Sequence, residues 1–224
     1  MEIQNIKDKS YHNTGNSDVL KWLSKSGTVL DIGCGAGDNA KALKPLGYQI
    51  DGITISETEL AESLPFLRKG YLFNLENGLP CDVCNEQYDY IICSHVLEHI
   101  CYPEKLLRDI RACLSKNGIL VVALPNLFHY KSRLELMKGN FNYASSGIWD
   151  NTHFKWYTFS TGKVLLEKNG FEIINATVTG DLPGNSFFSK ILSKKMSLKI
   201  YNGLRRISPG LFGYQLLYTA RVNK

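Results

Sequence analysis

The apolar positions of this chain alternate between two patterns. Short apolar runs, typical of strands buried on both faces of a sheet, are separated by segments in which apolar residues recur every three or four positions, as in amphipathic helices. The predicted strands are Thr28–Ile32, Tyr48–Ile55, Tyr71–Leu75, Gln87–Cys93, Ile119–Leu124, Phe171–Thr179 and Tyr214–Val222. The predicted helices are Asp38–Leu46, Ser56–Leu64, Pro103–Ser115, which Asn117-Gly118 would stop, and Ser160–Gly170. This alternation indicates an α/β domain built on a parallel sheet.

Three segments lie outside the alternation. Residues 1–27 are polar until they end in one apolar helical turn, which predicts a helical cap beside the first strand. Residues 127–158 and 180–213 are insertions, and connections of such length usually carry a function. The chain has 224 residues, the length of one sizeable domain, and we expect residues 1–224 to form a single unit.

The most informative stretch is Val29–Gly37, in which an apolar run is followed by three glycines at alternate positions. Glycines here let the backbone turn tightly and approach a ligand, and Asp38 would cap the helix that follows. Strand, glycine turn and helix together predict the first crossover of a nucleotide-binding domain. Asp31, two residues before the first glycine, would repel a pyrophosphate but attract a cation such as an amino group.

These residues resemble motif I of the class I S-adenosylmethionine-dependent methyltransferases, an acid followed by x-Gly-x-Gly-x-Gly. The resemblance runs over nearly the whole chain. It implies a Rossmann-like, doubly wound sheet of seven mostly parallel strands in the order 3-2-1-4-5-7-6, with helices on both faces, an antiparallel last strand and both insertions near the C-terminal edge. It also implies the cofactor S-adenosylmethionine. The implied cofactor contacts are Asp31, Gly33, Cys34, Gly35, Gly37, Thr54, Ile55, Asn74, Leu75, Ser94 and His95.

Two positions depart from the family pattern. Thr54 stands where relatives carry an acid for the ribose hydroxyls, and Asn74 where they carry an acid for the adenine amino group. The sequence Gly-Ile-Thr-Ile-Ser around Thr54 resembles the cyclopropane-fatty-acid-type methyltransferases, which keep the cofactor. The same exchanges also fit a domain that binds the cofactor without catalysis, or one that has lost it. With both acids gone, Gly33→Val should nearly abolish cofactor binding.

The segment His95-x-x-Glu98-His99 allows more than one interpretation. It satisfies the His-x-x-Glu-His pattern of a zinc-peptidase group, but it follows a strand instead of lying inside a long helix. It also resembles the Glu-x-x-Glu-His of ubiquinone-pathway O-methyltransferases, which have been linked to a metal. Because His95 replaces the first acid, we expect no metal. Cys81 and Cys84 form one Cys-x-x-Cys without a second ligand pair and are interpreted as incidental loop cysteines.

The first insertion carries the candidate catalytic residues. A short helix is predicted at Arg133–Lys138, and the end of the insertion resembles the Asp-x-Thr-His-x-Arg-x-Phe-Thr of small-molecule and glycan-associated relatives through Asp150, Thr152, His153 and Thr158. If the acceptor is a hydroxyl, a base must remove its proton, and His153 has a suitable pKa range. Alternatively, His153 fastens the lid through Asp150. We expect methyl transfer to an oxygen of a small molecule or sugar, such as a surface-polysaccharide or lipid-linked precursor.

The formal charge of +5 is unevenly placed, because no acid follows Asp181 and the bases beyond it contribute +8. A basic amphipathic helix is predicted around Phe187–Lys195. This segment could contact an anionic membrane surface or a phosphate-linked acceptor, or it could be a solvated helix face. It also motivates an RNA methyltransferase as an alternative, although no base-methylation signature follows the fourth strand, and nucleic acid is not the expected partner.

The localisation that we expect is cytoplasmic, with peripheral contact at the inner face of the membrane as an option. The start of the chain is charged, Met1–Lys9 lacks the apolar core of a signal peptide, and the six cysteines are expected to be reduced thiols. No apolar run approaches the length of a membrane span. The sequence gives no indication of the oligomeric state.

Overall fold

The structure is a computed structural model that describes residues 15–180 and 193–223. Its strands are β1 (Thr28–Ile32), β2 (Gln49–Thr54), β3 (Lys69–Leu72), β4 (Tyr88–Ser94), β5 (Leu114–Pro125), β6 (Phe171–Thr179) and β7 (Gln215–Val222). In this part of the chain they form a seven-stranded sheet in the order β3-β2-β1-β4-β5-β7-β6. Neighbours pair in parallel except for β7, which runs antiparallel to β5 and β6. The expected strand order and the antiparallel last strand are confirmed.

The helices connect these strands and cover the sheet. They are α1 (Ser17–Leu20), α2 (Asp38–Leu43), α3 (Glu57–Ser63), α4 (Cys81–Cys84), α5 (Pro103–Cys113), α6 (Tyr130–Met137), α7 (Phe159–Lys168), α8 (Lys194–Ile207) and α9 (Pro209–Phe212). Single 3-10 turns lie at Lys44–Leu46, Leu64–Phe66, Leu75–Asn77 and Leu97–His99. Among the described residues, no helix has the length and apolar character needed to cross a membrane.

The central strands are buried on both faces, which explains why they read as continuous apolar runs. Side chains of successive strand residues point to opposite faces, so Leu30 and Ile91 belong to one apolar cluster while Val29 and Ile92 belong to the other. The first cluster packs against α5, whose apolar positions Leu106, Leu107, Ile110 and Cys113 are all buried. The core is therefore two-sided, with one apolar cluster on each face of the sheet.

Several predicted boundaries are wrong, and two of them are set by pairing between strands. β3 begins at Lys69 instead of Tyr71, because Lys69 and Gly70 already pair with Asp51 and Gly52 of β2. The helix α5 ends at Cys113, and Leu114 pairs at once with Tyr88 of β4. The pairing register shifts between Tyr88 and Tyr90, so Asn117-Gly118 forms an irregularity inside β5 instead of a helix stop.

Both insertions attach at the carboxyl edge of the sheet. The first contains α6, which begins three residues before the predicted start at Arg133. The second contains α8 and α9, and Asn126 at the end of β5 holds it by donating to the carbonyls of Gly210 and Gly213 at 3.0 and 2.6 Å. The predicted helix around Phe187–Lys195 lies mostly outside the described residues, as do Met1–Lys9 at the start of the chain.

Candidate active site

The turn after β1 adopts a left-handed backbone at each of its three glycines. Gly33, Gly35 and Gly37 have φ values of 69°, 53° and 82°. A Cβ on Gly33 would lie 2.6 Å from Cγ2 of Val96, and one on Gly37 would lie 2.8 Å from Cβ of Ser63, so neighbouring packing excludes side chains at both. Gly37, not Asp38, occupies the capping position of α2, which corrects the predicted cap. The turn thus leaves bare backbone at the carboxyl edge of the sheet.

Asp31 lies beneath this turn and is 1% exposed. Burial raises the pKa of its carboxyl group to about 7, although Nδ2 of Asn39 donates to it at 3.2 Å. An amide is a neutral partner and does not compensate a buried carboxylate, whereas an ammonium group would. The uncompensated acid beside bare backbone fits the amino end of S-adenosylmethionine. Cys34 belongs to the same turn, where its N–H donates to the carbonyl of Ile53 at 2.9 Å and burial raises the pKa of its thiol.

The hydroxyl of Thr54, assigned to the ribose from the sequence, already has an internal partner. Its Oγ1 donates to Oε2 of Glu59 at 2.5 Å and accepts from the N–H of Ser56 at 3.2 Å. Its one hydrogen is therefore committed. Glu59 lies in the first turn of α3 and is 4% exposed, so a carboxylate stands beside the end of β2 after all. Glu59 also acts electrostatically on the glycine turn. Burial raises the pKa of the Cys34 thiol, and the carboxylates of Asp31 and Glu59 raise it further.

Asn74 and Leu75, which were assigned to the adenine, lie beyond the end of β3, and Asn74 caps the 3-10 turn that begins at Leu75. Asn74 comes two residues after β3, and its Oδ1 accepts from the N–H of Glu76 at 3.0 Å. A carbonyl oxygen has a second lone pair, so Asn74 can still accept from an amino group. Leu75 is half-buried and packs against the first apolar cluster, and Ile55 is half-buried immediately after β2.

Ser94 and His95 are joined to distant parts of the chain at the end of β4. Nδ2 of Asn16 donates to Oγ of Ser94 at 2.9 Å and to Oε1 of Gln215 at 2.8 Å, and Nε2 of His95 lies 2.7 Å from the same Oε1. His95 has a φ of 58°, an uncommon conformation for a residue with a side chain. Asn16 also donates its backbone N–H to Asn39 at 2.9 Å, so this network reaches the partner of Asp31.

A second polar cluster lies on the lid side of His95. Glu98 is fully buried, and neither of its oxygens has a well-aligned hydrogen bond; Nδ1 of His95 approaches Oε1 at 3.3 Å. Burial raises the pKa of Glu98, but the adjacent His95 and His99 outweigh it and hold that pKa below its usual value. Partial loss of hydration opposes the charge on His95, whose side chain is still 42% exposed, and Glu98 and Gln215 outweigh it and raise the pKa of that imidazole.

The lid brings His153 into this cluster. Its ring lies 4.6 Å from the ring of His99, and its Nδ1 is buried without a hydrogen-bond partner. Burial lowers the pKa of His153, which keeps the imidazole neutral near pH 7 and able to accept a proton. The backbone N–H groups of Phe154 and Lys155 donate to the carbonyl of Glu98 at 2.8 and 3.1 Å, so the lid is fastened directly to the segment after β4.

Asp150 supports a different part of the lid from the one predicted. Its Oδ1 accepts from both the N–H and the hydroxyl of Thr152, at 2.9 and 2.6 Å. The Thr152 hydroxyl in turn lies 3.0 Å from Nδ1 of His99. The connection from Asp150 to the polar cluster therefore runs through Thr152 to His99, while the backbone N–H of His153 donates to the Asp150 carbonyl at 3.2 Å.

Glu98, His99 and His153 are close enough to hold an ion. Their ligand atoms all lie within 4.8 Å of one another. One carboxylate and two imidazoles suit a first-row transition metal better than Mg²⁺ or Ca²⁺. The sequence pointed instead to His95 as the third partner of Glu98 and His99, because it offers no signal that His153 comes to the same place.

Several residues of the site were not identified from the sequence. Glu59 had the spacing of a capping box with Ser56, and its N–H does bond to Oγ of Ser56 at 3.4 Å, but its carboxylate turns to Thr54. The sequence signal that could have identified Glu59 was a carboxylate five positions after Thr54. Asn16 and Gln215 offered none, since 199 positions separate these two hydrogen-bonded residues.

The strand order, the glycine turn and the buried Asp31 define a class I S-adenosylmethionine-dependent methyltransferase. The chain belongs to the family described as "Methyltransferase domain", whose model matches residues 14–176. The chain therefore contains a methyltransferase domain of this class, whose cofactor is S-adenosylmethionine. Both expectations from motif I are confirmed.

Comparison with known proteins gives relatives with different acceptors. The chain is 33% identical over 169 residues to the ubiquinone biosynthesis O-methyltransferase of Rhodopseudomonas palustris (strain HaA2), covering 74% of this chain and 65% of that protein. It is 28% identical over 158 residues to the ribosomal protein L11 methyltransferase of Campylobacter fetus subsp. fetus (strain 82-40), covering 67% and 54%.

A solved structure shares the fold. Magnesium protoporphyrin IX methyltransferase from Synechocystis PCC 6803 with bound SAH matches with a TM-score of 0.60 at 17% identity, covering 93% of this chain and 81% of that one. The matches to the first curated relatives span between 40% and 65% of their lengths.

Proposed function

We propose that this enzyme transfers a methyl group to an oxygen of a small molecule or sugar, with a lipid-linked or phosphate-linked precursor as the favoured acceptor. The observation that carries the proposal is the position of His153. A buried imidazole that is neutral near pH 7 faces Glu98 and His99 from a lid at the carboxyl edge of the sheet. Removal of a hydroxyl proton requires a base of this kind, whereas methylation of an unprotonated amine does not.

The residues on the cofactor side of the site hold and orient S-adenosylmethionine. When bound, S-adenosylmethionine supplies a methyl group on a positively charged sulfur, and the acceptor attacks that methyl group in line and displaces the sulfur. In the proposal, Asp31 accepts hydrogen bonds from the ammonium group, and the bare backbone at Gly33 and Gly35 lies against the methionine part. Glu59, held in place by Thr54, accepts from the ribose hydroxyls. Asn74 and Leu75 contact the adenine, and Ser94 and His95 lie near the sulfur.

The acceptor side moves a proton and excludes water. His153 takes the proton of the acceptor hydroxyl at a ring nitrogen, and the buried Glu98 carboxylate stabilises the imidazolium that results. Asp150 and Thr152 orient His99 against the His153 ring. The fixed lid holds the acceptor in line with the methyl group, and alignment of this sort supplies much of the rate in bimolecular reactions.

An aromatic cluster in the same insertion supports a ring-shaped acceptor. The Phe141 ring contacts Tyr143, Trp149 and Trp156 edge-on, with centroids 5.3, 4.9 and 6.1 Å apart. Phe141 and Tyr143 are 42% and 61% exposed, and Nε1 of Trp156 is buried without a hydrogen-bond partner. Exposed aromatic faces such as those of Phe141 and Tyr143 suit a sugar or a phenolic ring, which offers an apolar face for stacking.

The test is a screen of sugar-nucleotide, lipid-linked and phenolic acceptors that detects release of S-adenosylhomocysteine. Ser146→Ala serves as a lid variant that should retain activity, because Ser146 is exposed and takes part in none of the hydrogen bonds described for the polar cluster. Turnover with one of these acceptor classes, absent in His153→Ala and present in Ser146→Ala, supports the proposal. Turnover with RNA alone would favour the nucleic-acid alternative, and methylation of an amine unaffected by His153→Ala would contradict the oxygen acceptor.

A further inference from the structure

The helix α8 presents an apolar stripe to the outside of the protein. Met196, Ile200 and Ile207 are 49%, 37% and 83% exposed. Their spacing of four and seven residues, with Gly203 between, places them along one face of the 14-residue helix. Exposed apolar side chains scattered singly are ordinary, but a stripe that follows one helix face indicates a surface that is covered in use.

A row of cations runs beside the stripe. Lys195, Lys199 and Arg206 are exposed and repeat at the same spacing of four and seven residues, one position before Met196, Ile200 and Ile207. No acidic residue follows Asp181 in the sequence, so nothing in this segment neutralises the row. Side by side, the two rows give α8 an outward surface that is half apolar and half cationic.

The opposite side of α8 fixes the helix to the sheet. Ser197 and Tyr201 are buried, and Oη of Tyr201 donates to the carbonyl of Phe212 at 2.5 Å. Nη1 of Arg205 donates to the carbonyl of Gly180 at 3.0 Å, just beyond the end of β6. The helix therefore sits at the carboxyl edge of the sheet, the same edge that carries the glycine turn and the lid.

We propose that the stripe and the cation row of α8 dock this enzyme on an anionic lipid bilayer. A helix that lies in a membrane interface needs an apolar face for the acyl boundary and cations for the headgroups, and α8 has both on its exposed side. A soluble phosphate or an RNA would account for the cations but not for the exposed Met196, Ile200 and Ile207. Docking would turn the carboxyl edge toward the bilayer, which, resting on the proposed function, brings a lipid-linked acceptor to the lid.

The test is co-sedimentation of the full chain with vesicles of phosphatidylcholine alone or mixed with phosphatidylglycerol, without cofactor or acceptor. We expect binding to the anionic vesicles that weakens with salt. The triple variant Lys195→Ala, Lys199→Ala, Arg206→Ala should weaken it about a hundredfold, because each basic residue contributes roughly fivefold. The matched control replaces Lys25, Lys116 and Lys168, which are exposed elsewhere, by alanine and should bind as the parent does.

A matched pair of variants tests the apolar stripe. Ile200→Asp should abolish vesicle binding, whereas Leu198→Asp should change it little, because Leu198 is 48% exposed but lies on another face of the same helix. Unchanged circular dichroism and S-adenosylhomocysteine affinity would show that the variants fold. Equal effects of the two aspartates, competition by free inorganic phosphate or RNA, or no binding to anionic vesicles would each overturn the proposal. Because no methyl transfer is measured, failure of the acceptor screen leaves this result standing.

Discussion

The hydroxyl of Thr54 donates a 2.5 Å hydrogen bond to the carboxylate of Glu59, and both side chains are almost fully buried. In the proposed function this pair takes the place of the acid expected at the end of the second strand, and the strand residue positions a carboxylate from the next helix. A carboxylate accepts hydrogen bonds from ribose hydroxyls more strongly than a threonine hydroxyl can. This pair is the physical basis for assigning the ribose to Glu59.

Glu59→Ala is expected to lower the affinity for S-adenosylhomocysteine by about ten- to a hundredfold, the usual range for loss of a hydrogen bond to a charged group. Calorimetric titration measures the change. Glu57→Ala is the matched control, because Glu57 lies in the same first turn of α3 but is exposed. If Glu59→Ala bound the ligand as tightly as Glu57→Ala, the carboxylate would have only a structural role.

The sequence predicted most of the fold because the signals for it are local. Runs such as Thr28–Ile32 and helices such as α5 show their burial through periodicity, and the motif I resemblance gives the strand order. Boundaries set by pairing between strands were missed. Whether Leu114 begins a strand depends on Tyr88, which is distant in sequence, and a local pattern at Asn117-Gly118 predicts a stop.

Only part of the candidate site could be predicted from the sequence. As with the fold, local patterns could be recognised and contacts between distant residues could not. Asp31 and the glycines form one contiguous motif, so the sequence alone predicts a cofactor-binding turn at this place. The cluster of Glu98, His99 and His153 joins residues more than 50 positions apart, and the contact depends on how the lid packs. No spacing rule encodes that packing.

Asp31 should make cofactor binding and stability depend on pH in opposite directions. In the folded protein its pKa is raised from 3.8 to about 7, so the folded state retains a proton that the unfolded state loses. As the pH rises from 3.8 to about 7, the raised pKa of Asp31 makes the folded protein without ligand progressively less stable. The full loss of stability is reached above about pH 7. Ionised Asp31 is the form that attracts an ammonium group, so affinity for S-adenosylhomocysteine should rise as the pH approaches and passes 7.

Asp31→Asn tests both halves of that prediction. Above pH 7 the free variant should unfold at a higher temperature than the parent protein, because a buried ionised carboxylate has been replaced by a neutral amide. Its affinity for S-adenosylhomocysteine should fall by about a hundredfold, as expected for loss of a charged pair. Thermal unfolding with and without ligand across the pH range measures both. A variant that is less stable than the parent at every pH would contradict the raised pKa.

His153→Asn should lower turnover by about a hundred- to ten-thousandfold while leaving cofactor affinity nearly unchanged, since a general base contributes to the chemical step alone. Single-turnover kinetics and calorimetry separate the two quantities. Asparagine keeps a polar side chain of similar reach in the buried position. A parallel loss of turnover and cofactor affinity would assign His153 to fastening the lid.

Zinc should inhibit the enzyme, and chelation should not. If His153 acts as a base, Zn²⁺ bound by Glu98, His99 and His153 would occupy the nitrogen that takes the proton. Turnover is therefore expected to persist in the presence of a chelator and to fall on titration with Zn²⁺. In His99→Ala, which lacks one ligand, Zn²⁺ should inhibit turnover much less. Activity lost in chelator and restored by a metal would replace the base mechanism by a metal-assisted one.

Gly33→Ala should be destabilising for a reason that the motif alone did not reveal. The added Cβ would lie 2.6 Å from Cγ2 of Val96, and the residue must keep a φ of 69°. We expect a loss of about 1 to 3 kcal/mol in the free energy of unfolding, measured by denaturant titration. In Gly33→Ala, Val96→Ala the clash is removed while the backbone strain remains, so part of the loss should return as a positive coupling between the two sites. Cofactor affinity should fall in both variants without vanishing, because Glu59 remains as a second anchor; complete loss of binding in the folded double variant would show that the turn is the sole anchor.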